Sequence, residues 1–414
     1  YQLENWIANR ETEQLQYYFK YCYIAINRAN TVIDHIQNSS VLSETARRRI
    51  LGEAYFLRAW NYFNLVRTFG IVPVQTKMVA ELSQTTPPMA TGLDQLYDLI
   101  LGDLARADNL LEVNKVFGRA DKVAAQSLMA KAYLTIASSK EHNVHRYTEM
   151  RREPQIMYDS AAYWAGKVVR DYKNVYDFDT NLRDIYDVDK PTGPEHIFIM
   201  PIDRSGTQEG NYSKLPLLFL PSNNSVPFYI RYGNGDLQRA NGNGWGVFLC
   251  NDEFVETQFS TTDKRRTELI HRDIYDASGN PIVPNQVKGY FSSKYVDPDF
   301  IGERTSARPY LIRFSDIALV YAEAAGPEAG LAYVNRIRER AGVTPLPSGM
   351  TTDKFREAVI KERALELAFE GNRLYDLRRT ASVTTTDIKA AGLSEAEAAY
   401  YPIPQREIDL NPNL

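Results

Sequence analysis

The chain has 414 residues, of which 44% are hydrophobic and 24% charged, with a mean hydropathy of −0.40. That balance is globular, far from disordered or fibrous composition, and a chain of this length buries one large core or two intimate ones. A formal net charge of −4 and a pI of about 5.9 create no field that would attract nucleic acid or an anionic membrane, so nucleic acid is excluded as the default partner.

The two cysteines, Cys22 and Cys250, supply neither a disulfide framework nor a CxxC pair. Cys22 falls on an apolar helical stripe and reads as a small buried hydrophobe. No apolar run reaches the roughly 18 residues that span a bilayer. The chain opens at Tyr1-Gln2-Leu3 without Met or signal peptide, so it reads as a mature or truncated piece whose targeting segment lies outside it.

In chain order, Leu15, Tyr18, Phe19, Cys22, Tyr23, Ile26 and Ile33 follow helical spacing and predict one buried face. A second helix should open at the N-cap Ser43, with Glu44 in its first turn, and end near Phe69 before Gly70. Its segment Glu53-Ala-Tyr-Phe-Leu-Arg-Ala-Trp-Asn-Tyr-Phe63 is apolar nearly all round and belongs inside. Thr91-x-x-Asp94 resembles a capping box ahead of Leu93, Leu96, Tyr97, Ile100, Leu101, Leu104 and Leu111. Ala125, Leu128, Met129, Ala132, Tyr133 and Ile136 form the next stripe, and Tyr158, Ala161, Ala162, Ala165 and Val169 another. Small and aromatic stripes on short helices suggest TPR-like pairs, although the period is not a strict 34 residues or so.

From about residue 173 to 305 helical periodicity gives way to Gly, Asn, Asp and Pro, as in Tyr229-Ile-Arg-Tyr-Gly-Asn-Gly-Asp236 and Asn241-Gly-Asn-Gly-Trp-Gly246. His196-Ile-Phe-Ile-Met200 predicts a brief strand. A loop-rich stretch this long with many aromatics points to function rather than disorder. Helices are expected again from about Ser306, over 316–325, 328–341 and 352–379, and the tail Tyr401-Pro-Ile-Pro404 reads as extended. The expected fold is therefore mainly α: a helix-pair scaffold over 10–172 and 306–380, a loop-rich insertion with a few short strands over 173–305, and an extended segment over 381–414.

Several blocks resemble the SusD/RagB proteins of Bacteroidetes. They are Glu53–Phe63 with Phe69-Gly-Ile-Val-Pro-Val74, Gly118-Arg-Ala-Asp-Lys-Val-Ala-Ala125, Gly244-Trp-Gly246 and Arg313-Phe-Ser-Asp-Ile-Ala-Leu-Val-Tyr-Ala-Glu-Ala324. Glu362-Arg-Ala-Leu-Glu-Leu-Ala-Phe-Glu-Gly-Asn-Arg-Leu-Tyr-Asp-Leu-Arg378 and Pro402-Ile-Pro-Gln-Arg-Glu-Ile-Asp-Leu-Asn-Pro412 complete the series. The resemblance spans essentially the whole chain and implies one SusD-like fold on a TPR-like scaffold. It also implies a surface-exposed outer-membrane lipoprotein whose ligand pocket closes against a SusC-like TonB-dependent transporter. The family's ligands are mostly oligosaccharides, with peptides in the RagB branch. The lipid-bearing N-terminal Cys and the segment usually ahead of the first helix are absent from this sequence, as are the residues that usually follow Asn-Pro-x-Leu.

Three constellations compete for catalytic readings. Glu362, Glu366 and Glu370 stack at helical spacing; glycoside hydrolysis needs two such carboxylates, but stacked carboxylates repel unless cations intervene. Arg363, Arg373, Arg378 and Arg379 are nearby in sequence, so a structural Glu–Arg network is expected. Glu53 and Arg58 in the buried second helix must likewise be paired, with the C-terminal Arg and Glu clusters as expected partners. His142-x-x-His145 lacks the Glu of an HExxH site and reads as solvated loop. The glycines at 242, 244 and 246 lack the strand–turn–helix context of a nucleotide site, and no GxSxG elbow or Cys–His arrangement occurs. No catalytic residue, cofactor or metal is expected.

The expected site is aromatic. Sugars offer apolar C–H faces to Trp and Tyr rings and hydroxyls to Asn, Asp and Arg. Tyr229, Arg231, Tyr232, Asn234 and Asp236 have that make-up, with Trp245 close by and Tyr212, Trp6 and the Thr85–Met89 loop as weaker candidates. The competing reading makes Trp245 a core anchor. The function expected is non-catalytic capture of a nutrient glycan at the cell surface and its delivery to a SusC-like transporter; the rivals are RagB-like peptide uptake, a TPR-like protein-interaction scaffold without small ligand, and a glycosidase.

Overall fold

The computed structural model describes residues 2–204, 212–282 and 289–414. Along the chain come helices α1 (Glu13–Ile36), α2 (Glu44–Phe69), α3 (Leu93–Leu110), α4 (Lys122–Glu141) and α5 (Pro154–Asp171). Strand β1 (His196–Ile199), the short helix α6 (Leu215–Phe219), and strands β2 (Phe228–Arg231) and β3 (Leu237–Ala240) follow. Next are α7 (Asp252–Gln258), α8 (Lys264–Leu269), β4 (Ile270–His271), β5 (Ile274–Tyr275), β6 (Pro281–Ile282), β7 (Phe291–Ser292) and β8 (Tyr310–Arg313). The chain ends with α9 (Phe314–Ala325), α10 (Pro327–Arg340), α11 (Thr352–Glu366), α12 (Arg373–Arg379), α13 (Val383–Thr386), α14 (Glu395–Ala399) and α15 (Gln405–Leu410). It divides into two compact units: Tyr1–Asn114, Ala120–Asp171 and Arg373–Leu414 form the first, and Lys115–Arg119 with Tyr172–Asn372 the second.

In the first unit each of α1 to α5 packs on its neighbour in sequence. Ser43 caps α2 by accepting a bond from Ala46 N at 3.3 Å, and Gly70 at φ +76° ends it. Phe56, Ala59, Tyr62, Phe63 and Val66 of α2 are fully buried, but the segment is not enclosed all round, since Leu57 is exposed and Tyr55 and Trp60 are half-buried. Asp121 caps α4 through Ala124 N at 2.9 Å. At α3 the expected capping box does not form. Gly92 takes the N-cap position, and Thr91 instead directs its own N–H to Gln95 Oε1 at 2.8 Å.

Arg58 is corrected most clearly. Its buried guanidinium grips Asp103 of α3 with two bonds, Nε–Oδ2 at 2.6 Å and Nη2–Oδ1 at 2.8 Å, and adds Asn30 Oδ1 at 2.8 Å. Its partner is a neighbouring helix, not the C-terminal clusters. The tail also differs from expectation. Only Tyr401–Pro404 is extended, because Ser394 and Glu397 close a capping box that starts α14, and α13 and α15 form on either side.

In the second unit β1 and β8 pair antiparallel, Ile199 opposite Tyr310, close to the strand expected at 196–200. Strands β3-β2-β5-β6 form a small sheet, and β4 pairs with β7. Phe228 and Ile230 of β2 point into a core with Leu217, Leu220, Phe291 and Phe300. The helix expected over 352–379 breaks into α11 and α12. Phe369 at φ +67° and Gly371 at φ +77° reverse the chain there, and Phe369 packs against the apolar cluster around Tyr295 and Tyr310.

Candidate ligand-binding surfaces

Trp245 is presented by backbone-on-backbone packing. A Cβ at Gly242 would sit 2.0 Å from Val226 O, and one at Gly244 2.1 Å from Leu220 O, so only glycine lets the 242–244 strip lie flat on residues 220–226. The strip is pinned by Trp245 N to Leu217 O at 2.6 Å and Gly246 N to Leu220 O at 2.8 Å. Trp245 therefore points outward and is 53% exposed, a surface ring rather than a core anchor. Lys214 Nζ stands 6.0 Å from its ring centroid and pairs with Glu303 at 3.2 Å. Tyr212, 43% exposed, bridges to Arg304 through backbone, and the Arg304 guanidinium lies 5.8 Å from the Tyr212 ring centroid. Two exposed rings thus share one surface with a cation, a carboxylate and a guanidinium.

The β2–β3 hairpin is arranged differently. Tyr229 is half-buried, opposite Arg239 and Tyr275. Arg231 is exposed, its guanidinium 4.2 Å from the Tyr275 ring centroid and bonded to Gly279 O. Tyr232 departs from the expectation of a free ring: it is 6% exposed, with Arg183 4.5 Å from its ring centroid and His271 edge-on at 5.5 Å. Its hydroxyl donates to Gln238, and burial pushes its pKa up to about 12. Neither face of that ring is open to a sugar.

In the hairpin turn Asn234 Nδ2 donates to Asp236 Oδ2 at 2.6 Å, and Arg183 approaches the same oxygen at 3.3 Å. The Asn234 bond first, and the Arg183 bond second, hold the Asp236 carboxyl below its usual range. Tyr232 and Asp236 help to line a cavity of about 590 Å³, with Asn181, Arg183, Asp184, Asp187, Gln238 and Arg239 among the other lining residues. The sequence reading missed Lys214, Glu303 and Arg304 beside Trp245, and Asn181–Asp187 at the cavity. None of them lies on a periodic pattern, and only the polar density of Asn181-Leu-Arg-Asp-Ile-Tyr-Asp187 gave any signal.

The stacked carboxylates are buried and paired. Glu362 meets Arg265 and Arg338, each at 2.5 Å; Glu366 meets Arg340 at 2.7 Å and Arg313 at 3.3 Å; Glu370 meets Lys294 at 2.7 Å and Arg313 at 2.8 Å. The cations differ from those nearest in sequence: Arg363 pairs with Asp316 at 2.8 Å and Arg379 with Asp376 at 2.9 Å. Glu195 joins the same cluster through Arg313 and Arg340. Burial alone would raise the Glu195 carboxyl, but Arg340 and Arg313 outweigh it and hold the pKa at about 2.

Trp6, His142 and His145 are engaged in contacts within the first unit. Trp6 Nε1 donates to Asp387 at 2.8 Å and its ring stacks on Tyr401. His142 Nδ1 lies 2.8 Å from Ser138 O at the end of α4, and the His145 ring packs on Tyr400. Thr85 and Pro87 line a cavity of about 580 Å³ in the first unit, walled by α1 and α15.

Paired helices with a loop-rich, strand-poor insertion are the architecture of the SusD-like class. A sequence profile described as the SusD family matches residues 272–414, and one described as starch-binding associating with outer membrane matches residues 1–134. SusD-like protein P2 of Formosa agariphila is 24% identical over 409 residues, covering 91% of this chain and 74% of its own. A SusD superfamily protein of Parabacteroides distasonis superposes with a TM-score of 0.81 at 22% identity, over 100% of this chain and 87% of that one. A laminarin-binding SusD-like protein superposes at 0.77 with 23% identity, over 99% and 87%. Both ends of the chain thus match SusD-type family profiles, and its fold is that of the SusD-like proteins.

Proposed function

We propose that this protein captures a nutrient glycan at the bacterial cell surface and passes it, unreacted, to a SusC-like TonB-dependent transporter in the outer membrane. In this reading the chain is a surface-exposed lipoprotein of the outer membrane. The observation that carries it is the open surface where Trp245 and Tyr212 are exposed beside Lys214, Glu303 and Arg304. Flat rings take the C–H faces of pyranoses, and the flanking charged groups take hydroxyls.

A non-catalytic role is supported by the carboxylates themselves. Glu362, Glu366 and Glu370 are each at most 2% exposed at the side chain and engaged by guanidinium or ammonium groups. General acid–base work on a glycosidic bond needs carboxylates that reach the substrate. The laminarin-binding neighbour lends support to a β-glucan or related glycan as cargo.

Affinity electrophoresis through gels containing laminarin, xyloglucan, starch or mannan tests the reading. Retention by at least one polysaccharide, with Kd in the order of micromolar to millimolar and lost in Trp245→Ala, is expected. Retardation by none of them, with binding to peptides, would replace the glycan with a RagB-like cargo; release of new reducing ends would replace capture with hydrolysis.

A further inference from the structure

The Trp245 surface is not the only place in the second unit with room for a ligand. We propose that the cavity between the 181–187 segment and the β2–β3 turn is a separate saccharide site, which takes one or two neutral sugar units by hydrogen bonding rather than by ring stacking. The proposal extends the glycan reading to a second site and rests on it for the class of ligand, but on different residues.

Size comes first. At about 590 Å³ the cavity lies within the range of small-molecule sites, about 300–1,000 Å³. Its lining is mostly polar, unlike the apolar lining usual for such sites: Asn181, Arg183, Asp184, Asp187, Asp236, Gln238 and Arg239 contribute to it. Tyr232 closes part of the wall as a buried ring, 6% exposed, with Arg183 over it and His271 in T-shaped contact. A ligand here has hydrogen-bonding groups to meet and no free aromatic face.

Charge then narrows the class. Each ionised group on the wall already has a counter-charge from the protein. Arg183 is shared between Asp236 at 3.3 Å and Glu268 at 3.5 Å, and Arg239 faces Asp299 at 3.6 Å. Lys190 serves Asp184 at 2.7 Å and Asp187 at 3.6 Å. An anionic ligand, such as a uronate or a sulfated sugar, would lose hydration beside three carboxylates and find no unpaired cation. A hydroxyl both donates and accepts, and so matches carboxylate acceptors and guanidinium donors without disturbing the pairs.

The wall is also fixed before any ligand arrives. Asn181 Oδ1 accepts Arg183 N at 3.1 Å and Asn181 Nδ2 donates to Asp184 at 3.0 Å. His196 Nε2 lies 2.7 Å from Ile185 O, and Asp236 N donates to Asn234 Oδ1 at 3.1 Å across the turn. A preformed polar wall spares the ligand the cost of ordering side chains on binding.

Saturation-transfer NMR on the purified chain tests this, with maltose, cellobiose, laminaribiose, mannobiose and glucuronic acid as probes. At least one neutral disaccharide should give a signal that persists in Trp245→Ala. Gln238→Leu and Asp236→Ala, both at positions at least partly exposed and so expected to fold, should each weaken that binding ten-fold or more. Disaccharide binding abolished by Trp245→Ala and untouched by the two cavity variants would overturn the cavity site while leaving the Trp245 reading intact. Stronger signals from glucuronic acid than from every neutral sugar would overturn the charge argument, and no signal from any probe would overturn the site. Polysaccharide retention in gels reports the Trp245 surface separately, so the two proposals fail independently.

Discussion

Arg313 and Glu370, far apart in sequence, face each other through two parallel bonds, Nε–Oε2 at 2.8 Å and Nη2–Oε1 at 3.0 Å, with both side chains 1% exposed. This fork-on-fork pair is the middle of a buried ionic cluster that also holds Glu195, Glu366, Arg340 and Lys294. Burial would raise the Glu370 carboxyl, but Arg313 and Lys294 outweigh it and lower its pKa. Glu195 is held at about 2. Both folded values lie below the unfolded carboxylate value of about 4.3. Their contribution is therefore fully present above that value and lost as pH falls through it toward 2. Thermal melts should be flat between about pH 5 and 7 on account of these groups and decline steeply from about pH 4.5 downward. Glu370→Gln leaves buried cations under-neutralised and should cost about 3–5 kcal/mol in urea titration, with polysaccharide retention intact below the melt. A variant as stable as the parent would mean that the cluster does not hold an ionised carboxylate there.

The Arg58–Asp103 pair sets a second expectation. Both side chains are at most 5% exposed, so Asp103→Ala strands a guanidinium in the apolar interior of the first unit. A loss of about 3–5 kcal/mol is expected. The double variant Arg58→Met with Asp103→Leu, similar in volume and uncharged, should recover most of it. If the double variant is less stable than Asp103→Ala alone, packing rather than charge compensation governs this site.

Glycines give predictions of opposite sign. At Gly244 a Cβ would meet Leu220 O at 2.1 Å and Pro221 O at 2.5 Å, both fixed backbone. Gly244→Ala should lift the strip that carries Trp245, cost about 1–3 kcal/mol and reduce polysaccharide retention about as far as Trp245→Ala does. Gly102, within α3, has only the end of Arg106 at 3.9 Å. Gly102→Ala should stabilise by about 0.5–1 kcal/mol through helix propensity and leave retention unchanged. Denaturant titration alongside gel mobility separates the two, and a Gly244→Ala protein with parental mobility would contradict the account of how Trp245 is presented.

What the sequence disclosed follows from the reach of its patterns. Periodicity named most of the buried faces of α1, α3, α4 and α5 because a helix repeats its environment every turn, so Leu15, Phe19, Cys22 and Ile26 announce themselves. Tyr18, expected on the same face, is exposed. Periodicity says which side is inward and nothing about what stands opposite. Hence the pairing of Glu362, Glu366 and Glu370 was foreseen, whereas their cations Arg265, Arg313, Arg338, Arg340 and Lys294 come from other elements. The break after α11 was hidden because Phe369, an apolar residue on the helical pattern, takes a left-handed conformation that tertiary packing alone imposes. The cavity walled by Asn181–Asp187 and Tyr232–Arg239 has no period, and Tyr232 was misjudged because composition does not tell a ring that faces water from one covered by an arginine.

The Trp245 surface finally predicts how binding responds to salt. Stacking of a neutral pyranose on an indole carries no net charge interaction, so raising NaCl from roughly 50 to 500 mM, which shortens the screening length several-fold, should leave retention nearly constant. Trp245→Phe keeps a flat ring of smaller area and should bind with intermediate strength, between the parent and Trp245→Ala. Lys214 lies over the ring and is already paired with Glu303 on an exposed edge. An exposed pair of this kind contributes about 0–1 kcal/mol, so Lys214→Met should weaken retention by only a few-fold. Gel mobility in the two salts, for the parent and the three variants, reads all of this at once. If high salt abolishes retention and Lys214→Met does the same, the cargo is anionic, and Lys214 and Arg304 rather than the rings hold it.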